Sequence, residues 1–120
     1  MKKFLILILL LVNVVISAQT VTLFTKSEER HNIINKSIEY NIVKYSSFTF
    51  SNNLITVISG DKNAVFTIHN TEDNKINQQL VYHCSDLNMN RVTFFVREYL
   101  IAVDIGERDI VYIFKIYDRL

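Results

Sequence analysis

Residues 48–68, FTFSNNLITVISGDKNAVFTI, align without a gap onto residues 94–114, FFVREYLIAVDIGERDIVYIF, at an offset of 46. Phe48 matches Phe94, Leu54 matches Leu100, Ile55 matches Ile101, Val57 matches Val103, Gly60 matches Gly106 and Val65 matches Val111. Each copy reads as a meander of three short strands. The turn between the second and third strands begins with glycine, Gly-Asp-Lys-Asn in one copy and Gly-Glu-Arg-Asp in the other. Glycine supplies the positive φ that such turns demand, and the charged or amide residues keep the tip in water. Ile55 and Val57 share a strand face with each other, as do Ile101 and Val103. Asp104 replaces Ile58 on the opposite face, which makes that face wetter in the second copy.

Working outward from the echo, alternating or apolar runs rich in Val, Ile, Thr, Phe and Tyr predict strands over 21–25, 47–50, 54–58, 65–69, 79–84, 91–96, 100–104 and 110–117. The connections are too short for crossover helices, so antiparallel hairpins follow. The expected fold is mainly β, a small antiparallel β sandwich or open barrel built from meanders. Residues 27–45 admit two readings. Ile34, Ile38, Ile42 and Tyr45 recur at helical spacing, and Thr25 with Glu28 has the form of a capping box, which allows one N-terminal helix over 27–45. Ile38, Tyr40 and Ile42 also alternate with Glu39 and Asn41, which suits a strand pair turning at Asn32 or Asn35. The last strand is apolar on both faces, with Ile110, Tyr112, Phe114 and Ile116 on one and Val111, Ile113, Lys115 and Tyr117 on the other. Such a strand is central in a domain, or meets a partner or ligand.

The first residues, MKKFLILILLLVNVVISAQ, place two lysines, an apolar run from Phe4 to Ile16 and small residues at Ser17 and Ala18 in the order of a cleavable signal peptide. Cleavage near Ala18 divides the 120 residues into a leader (1–18) and a single β-rich domain (19–120) with a possible internal pseudo-repeat, secreted or periplasmic, with no transmembrane segment in the mature chain. Lys2 and Lys3 leave with the leader, so eleven basic residues stand against twelve acidic ones. The basic residues are scattered, which excludes nucleic acid as the expected partner. The absence of proline, the two glycines and the heavy use of Asn, Ile, Lys, Phe and Tyr suit an AT-rich genome. Leader, Ala-Gln junction and composition resemble small secreted proteins of Bacteroidetes-type bacteria, a resemblance that carries no functional residue.

Cys84 is the only cysteine, so no intramolecular disulfide forms and stability rests on packing. It reads as a small buried hydrophobe or, alternatively, an intermolecular bridge. His83 and Cys84 are adjacent and point to opposite faces of a strand, and His31 and His69 stand alone, so no metal or cofactor is expected. Asp61 with Asn63 and Glu107 with Asp109 lack the remainder of a calcium loop. Asn35-Lys36-Ser37 matches a glycosylation acceptor by coincidence in a bacterial-looking chain. An enzyme, a small hydrolase or isomerase, would have to gather at least two of His31, His69, His83, Cys84, Asp104 and Glu98 in one cleft. The expectation is instead a noncatalytic secreted or periplasmic binding domain for a protein or a small apolar ligand, with Tyr99, Tyr112 and Tyr117 as possible interface residues. The alternative is a structural or envelope-associated protein that self-associates through a β edge, as a homodimer or polymer.

Overall fold

A computed structural model describes residues 20–120, which form eight strands: β1 (Val21–Asn32), β2 (Ser37–Phe50), β3 (Leu54–Ser59), β4 (Lys62–Asn74), β5 (Gln79–Ser85), β6 (Arg91–Val96), β7 (Leu100–Asp104) and β8 (Ile110–Arg119). Each pairs antiparallel with the next, and β1 pairs with β8, so the sheet closes into a barrel. The leader assigned to residues 1–18 lies outside the described residues.

The expected strands are present, and the closed barrel replaces the sandwich or open barrel. The helix over 27–45 is absent: β1 runs on to Asn32, and β2 starts at Ser37. Period-two alternation wins because Tyr40 lies opposite Arg30 on β1, which in turn lies opposite Tyr112 on β8. Asn32 turns the hairpin, its Oδ1 accepting the amides of Ile34 and Asn35. Closure accounts for the inner face of β8, which has β7 on one side and β1 on the other, while on the outer face Val111 and Ile113 stay half-buried and Tyr117 is exposed. A barrel covers its inner face with its own opposite wall, so no second layer is required.

The two echoing stretches lie on β2–β3–β4 and β6–β7–β8, across the barrel from each other. Phe48 pairs with Val57 and Phe50 with Ile55, just as Phe94 pairs with Val103 and Val96 with Ile101. The gapless alignment then slips by two residues. Ile55 faces Phe66, whereas Ile101 faces Phe114, because the β7–β8 connection is longer than the two-residue β3–β4 turn. Gly60 has φ +62° and Gly106 φ +87°, as their turns require. The corrected correspondence appears in the core. Phe48 meets Phe114 edge-on at 5.0 Å, Phe94 meets Phe66 edge-on at 5.1 Å, and Phe48 and Phe94 meet each other at 6.4 Å.

The interior has two ends. At the lower end, where the 51–53, 75–78 and 97–99 connections lie, Leu23, Phe50, Ile55, Tyr82, Val96 and Ile101 are buried. Phe50 and Tyr82 pack with their rings tilted at 39°, centroids 5.0 Å apart. The upper end carries the 33–36, 60–61, 86–90 and 105–109 connections. Cys84 is buried on the inner face and unbridged.

Candidate functional site

Above the buried layer the barrel narrows to an apolar cup. Phe48, Val57, Ala64, Phe66, Phe94, Val103 and Phe114, drawn from six strands, line a cavity of about 110 Å³. The cup reaches solvent beside Ala64, which is exposed on β4. A larger space of about 520 Å³ lies over Phe66 and Val92 and is bordered by Asp86, Asn90, Arg91, Ile105 and Gly106. Asp86 is occupied by its own loop: its carboxylate accepts the amides of Asn88 and Asn90 and the side chain of Asn90. Those bonds, the Asn90 amide foremost, hold its carboxyl below its ordinary value against the opposing effect of burial.

One wall of the mouth rises above the rest, because β1, β2 and β8 outrun β3. Its inner face is polar. Tyr40 donates to Glu28 Oε2 at 2.6 Å, and Lys44 Nζ lies 3.3 Å from Glu28 Oε1. Arg30 reaches Glu39 at 2.8 Å, Glu107 at 3.1 Å and the Tyr112 hydroxyl at 3.3 Å, and Tyr112 donates to Glu107 at 3.0 Å. Burial and the neighbouring Glu28 push the Tyr40 hydroxyl up to about 12, and burial with Glu107 raises that of Tyr112. Both shifts move the tyrosines away from ionisation, which suits hydrogen-bond donors. On the outer face of the same wall, the buried carboxylate of Glu29 is bonded to His31 at 2.9 Å and Lys115 at 3.2 Å. Desolvation alone would raise its pKa. The hydrogen bonds and positive charge of these partners outweigh it, and the carboxyl titrates below its ordinary value.

The three tyrosines singled out from the sequence do not share a surface. Tyr99 is exposed in the 97–99 connection at the lower end, beside a cavity of about 230 Å³ with Asn77, Gln78 and Arg97. Tyr117 is exposed on the outer wall, edge-on to Tyr45 at 6.3 Å and beneath Lys26 Nζ at 5.6 Å. Tyr112 faces the upper mouth, where its alternation with Phe114 puts it. The residues considered for catalysis are spread out. His31 bonds Glu29, His69 bonds Ser85 at 2.7 Å, His83 bonds Glu72, and Asp104 caps the amide of Gly106 at 2.9 Å. Glu98 lies in the lower connection with Tyr99. Burial pushes the Cys84 thiol up to about 12, which disfavours the nucleophilic thiolate. No cluster of three or more His, Cys, Asp or Glu side chains able to hold a metal ion occurs among the described residues. No described helix is long and apolar enough to cross a membrane.

The sequence reading missed the cup itself. Every one of its residues reads as core, and only the register across six strands reveals that their side chains leave a space. Compared with protein-family models, curated proteins and solved structures, the chain finds no match.

Proposed function

We propose that this chain is a noncatalytic secreted or periplasmic binding domain whose upper barrel end takes the apolar end of a small ligand. The observation that carries this reading is the wholly apolar cup between Phe48, Phe66, Phe94 and Phe114, at the barrel end whose taller wall carries the polar side chains of Tyr40, Arg30 and Tyr112. Ligand sites are typically apolar hollows with a few polar groups at the entrance. Eight strands enclose just enough room for side chains or one small ligand. A dry cavity of about 150 Å³ accommodates benzene. At about 110 Å³ the cup fits a slightly smaller group, such as a branched alkyl end, with the remainder of the ligand in the space above Phe66.

The test is titration with isobutanol, toluene and hexanoate, followed by NMR. Saturable shifts at Ala64, Phe66 and Val103, abolished by Ala64→Phe, support the reading. Unperturbed spectra with all three probes, while Ala64→Phe leaves the fold intact, reject it.

A further inference from the structure

The cup and the larger space above it are stacked along the same two strands. On β6 the inner-facing Phe94 lines the cup, and Val92, the next inner-facing residue toward the upper end, lines the space above. On β7 Val103 lines the cup, and Ile105, just past the strand's end, lines the space above. The two spaces are therefore one side-chain layer apart on this side of the barrel. On β4 a single side chain touches both: Phe66 is the one described residue that lines the cup and the upper space alike. Its ring stands edge-on to Phe94 at 5.1 Å and is only partly buried.

The strand pairing explains why the ring sits at an opening. β4 pairs with β5 from Thr67 to Asn74, and Thr67 lies opposite Ser85 at the end of β5. Above that point β5 gives way to the 86–90 connection, whose Asp86 and Asn90 border the upper space. Phe66 keeps its pairing with Ile55 on β3, so its backbone is held while its ring borders both spaces. The spaces also differ in chemistry. The cup is wholly apolar, whereas the upper space has Asp86, Asn90 and Arg91 along its border.

We propose that Phe66 is the specificity-determining residue of this site, a partition that limits the apolar end of the ligand and so selects compounds with a short alkyl end on a polar body over long acyl chains. Since a cavity of about 150 Å³ holds the six carbons of benzene, the cup's volume of about 110 Å³ is filled by about four. A longer chain meets either the Phe66 ring or the polar border of the upper space, where burying a further methylene gains little. The inference rests on the cup's being the binding site.

The test is a series of straight-chain alcohols from propanol to octanol, titrated against the chain and followed by NMR at Val103. Each methylene buried in an apolar site tightens binding about fourfold. The dissociation constant is expected to fall at about that rate as far as butanol, and by less than about twofold per carbon beyond it. Phe66→Ala removes the partition, carries the full rate on to octanol and tightens octanol binding about tenfold or more over the native chain. Phe66→Leu, which keeps an apolar side chain in place, moves the break part of the way. Ile105→Ala widens the upper space alone and leaves the break at butanol. Three results would each overturn the proposal while leaving the cup as the site: a native chain whose affinity climbs at the full rate to octanol, a folded Phe66→Ala or Phe66→Leu chain that still breaks at butanol, or an Ile105→Ala chain that moves the break as far as Phe66→Ala does. If no alcohol shifts Val103 in any of these chains, the cup is not a binding site and the inference falls with it.

Discussion

The two ends of the barrel are built from the same alternating strands and reach opposite solutions. At the lower end Leu23, Phe50, Ile55, Tyr82, Val96 and Ile101 fill the interior. At the upper end the rings of Phe48, Phe66, Phe94 and Phe114 meet edge to edge and leave a cup, and the wall above is held by ion pairs. Packing fastens one end, charge and hydrogen bonding the other. A small barrel without a disulfide can leave one end open because the other is closed so fully.

The largest effect that would sharpen this contrast is loss of packing below. Phe50→Ala is expected to cost about 3–5 kcal/mol in denaturant unfolding. Phe66→Ala, whose ring is only partly buried beside existing space, should cost clearly less. Equal costs would erase the difference between the ends.

Next comes the charged wall. Glu29→Gln removes the anion shared by His31 and Lys115 and should cost about 2 kcal/mol at neutral pH. Because the Glu29 carboxyl titrates lower in the folded chain than its ordinary value of 4.5, its stabilisation is complete above that value. It is lost as pH falls through the lower folded value. Unfolding followed against pH should show this acid loss in the native chain and a smaller one in Glu29→Gln. Amide exchange should quicken first along residues 28–44 in acid. Exchange that quickens first around Leu23 and Phe50 would contradict the assignment of charge to the upper end.

A smaller effect lies at the two matched turns. A Cβ on Gly60 meets no atom within 4 Å, so Gly60→Ala pays only for its positive φ, about 1 kcal/mol in a thermal melt. Smallest of all, Ala64→Val adds two methyl groups at the cup and should change stability by no more than about 0.5 kcal/mol while weakening binding of apolar probes. A large destabilisation there would mean that the cup is already full.

Much of this architecture is legible in the sequence. Alternating or apolar runs mark all eight strands, and Asn, Asp or Gly marks every connection except Arg97-Glu98-Tyr99, because those signals are local. Closure is not local: whether β8 meets β1 depends on barrel geometry, which no window of residues contains. The stretch 27–45 satisfies both a helical and a strand period, and only Arg30, lying between Tyr40 and Tyr112, decides between them. The echo locates matching strands, but its gapless form pairs Val65 with Val111, since the extra length of the β7–β8 connection is invisible without cross-strand register. Tyr112 could have been placed at the mouth from its parity with Phe114. The cup could not, because a void is a property of what six strands fail to fill.

The pairing of Leu23 with Arg119 has a kinetic consequence. The other seven seams join strands adjacent in sequence, and such hairpins form within microseconds. The eighth must bring together nearly the full span of the chain, so it carries the largest loop-closure cost and forms after the local hairpins. Until that seam closes, β1 and β8 both present bare edges to neighbouring molecules. The time spent in that state, more than the final stability, sets how crowded a solution this chain can fold in.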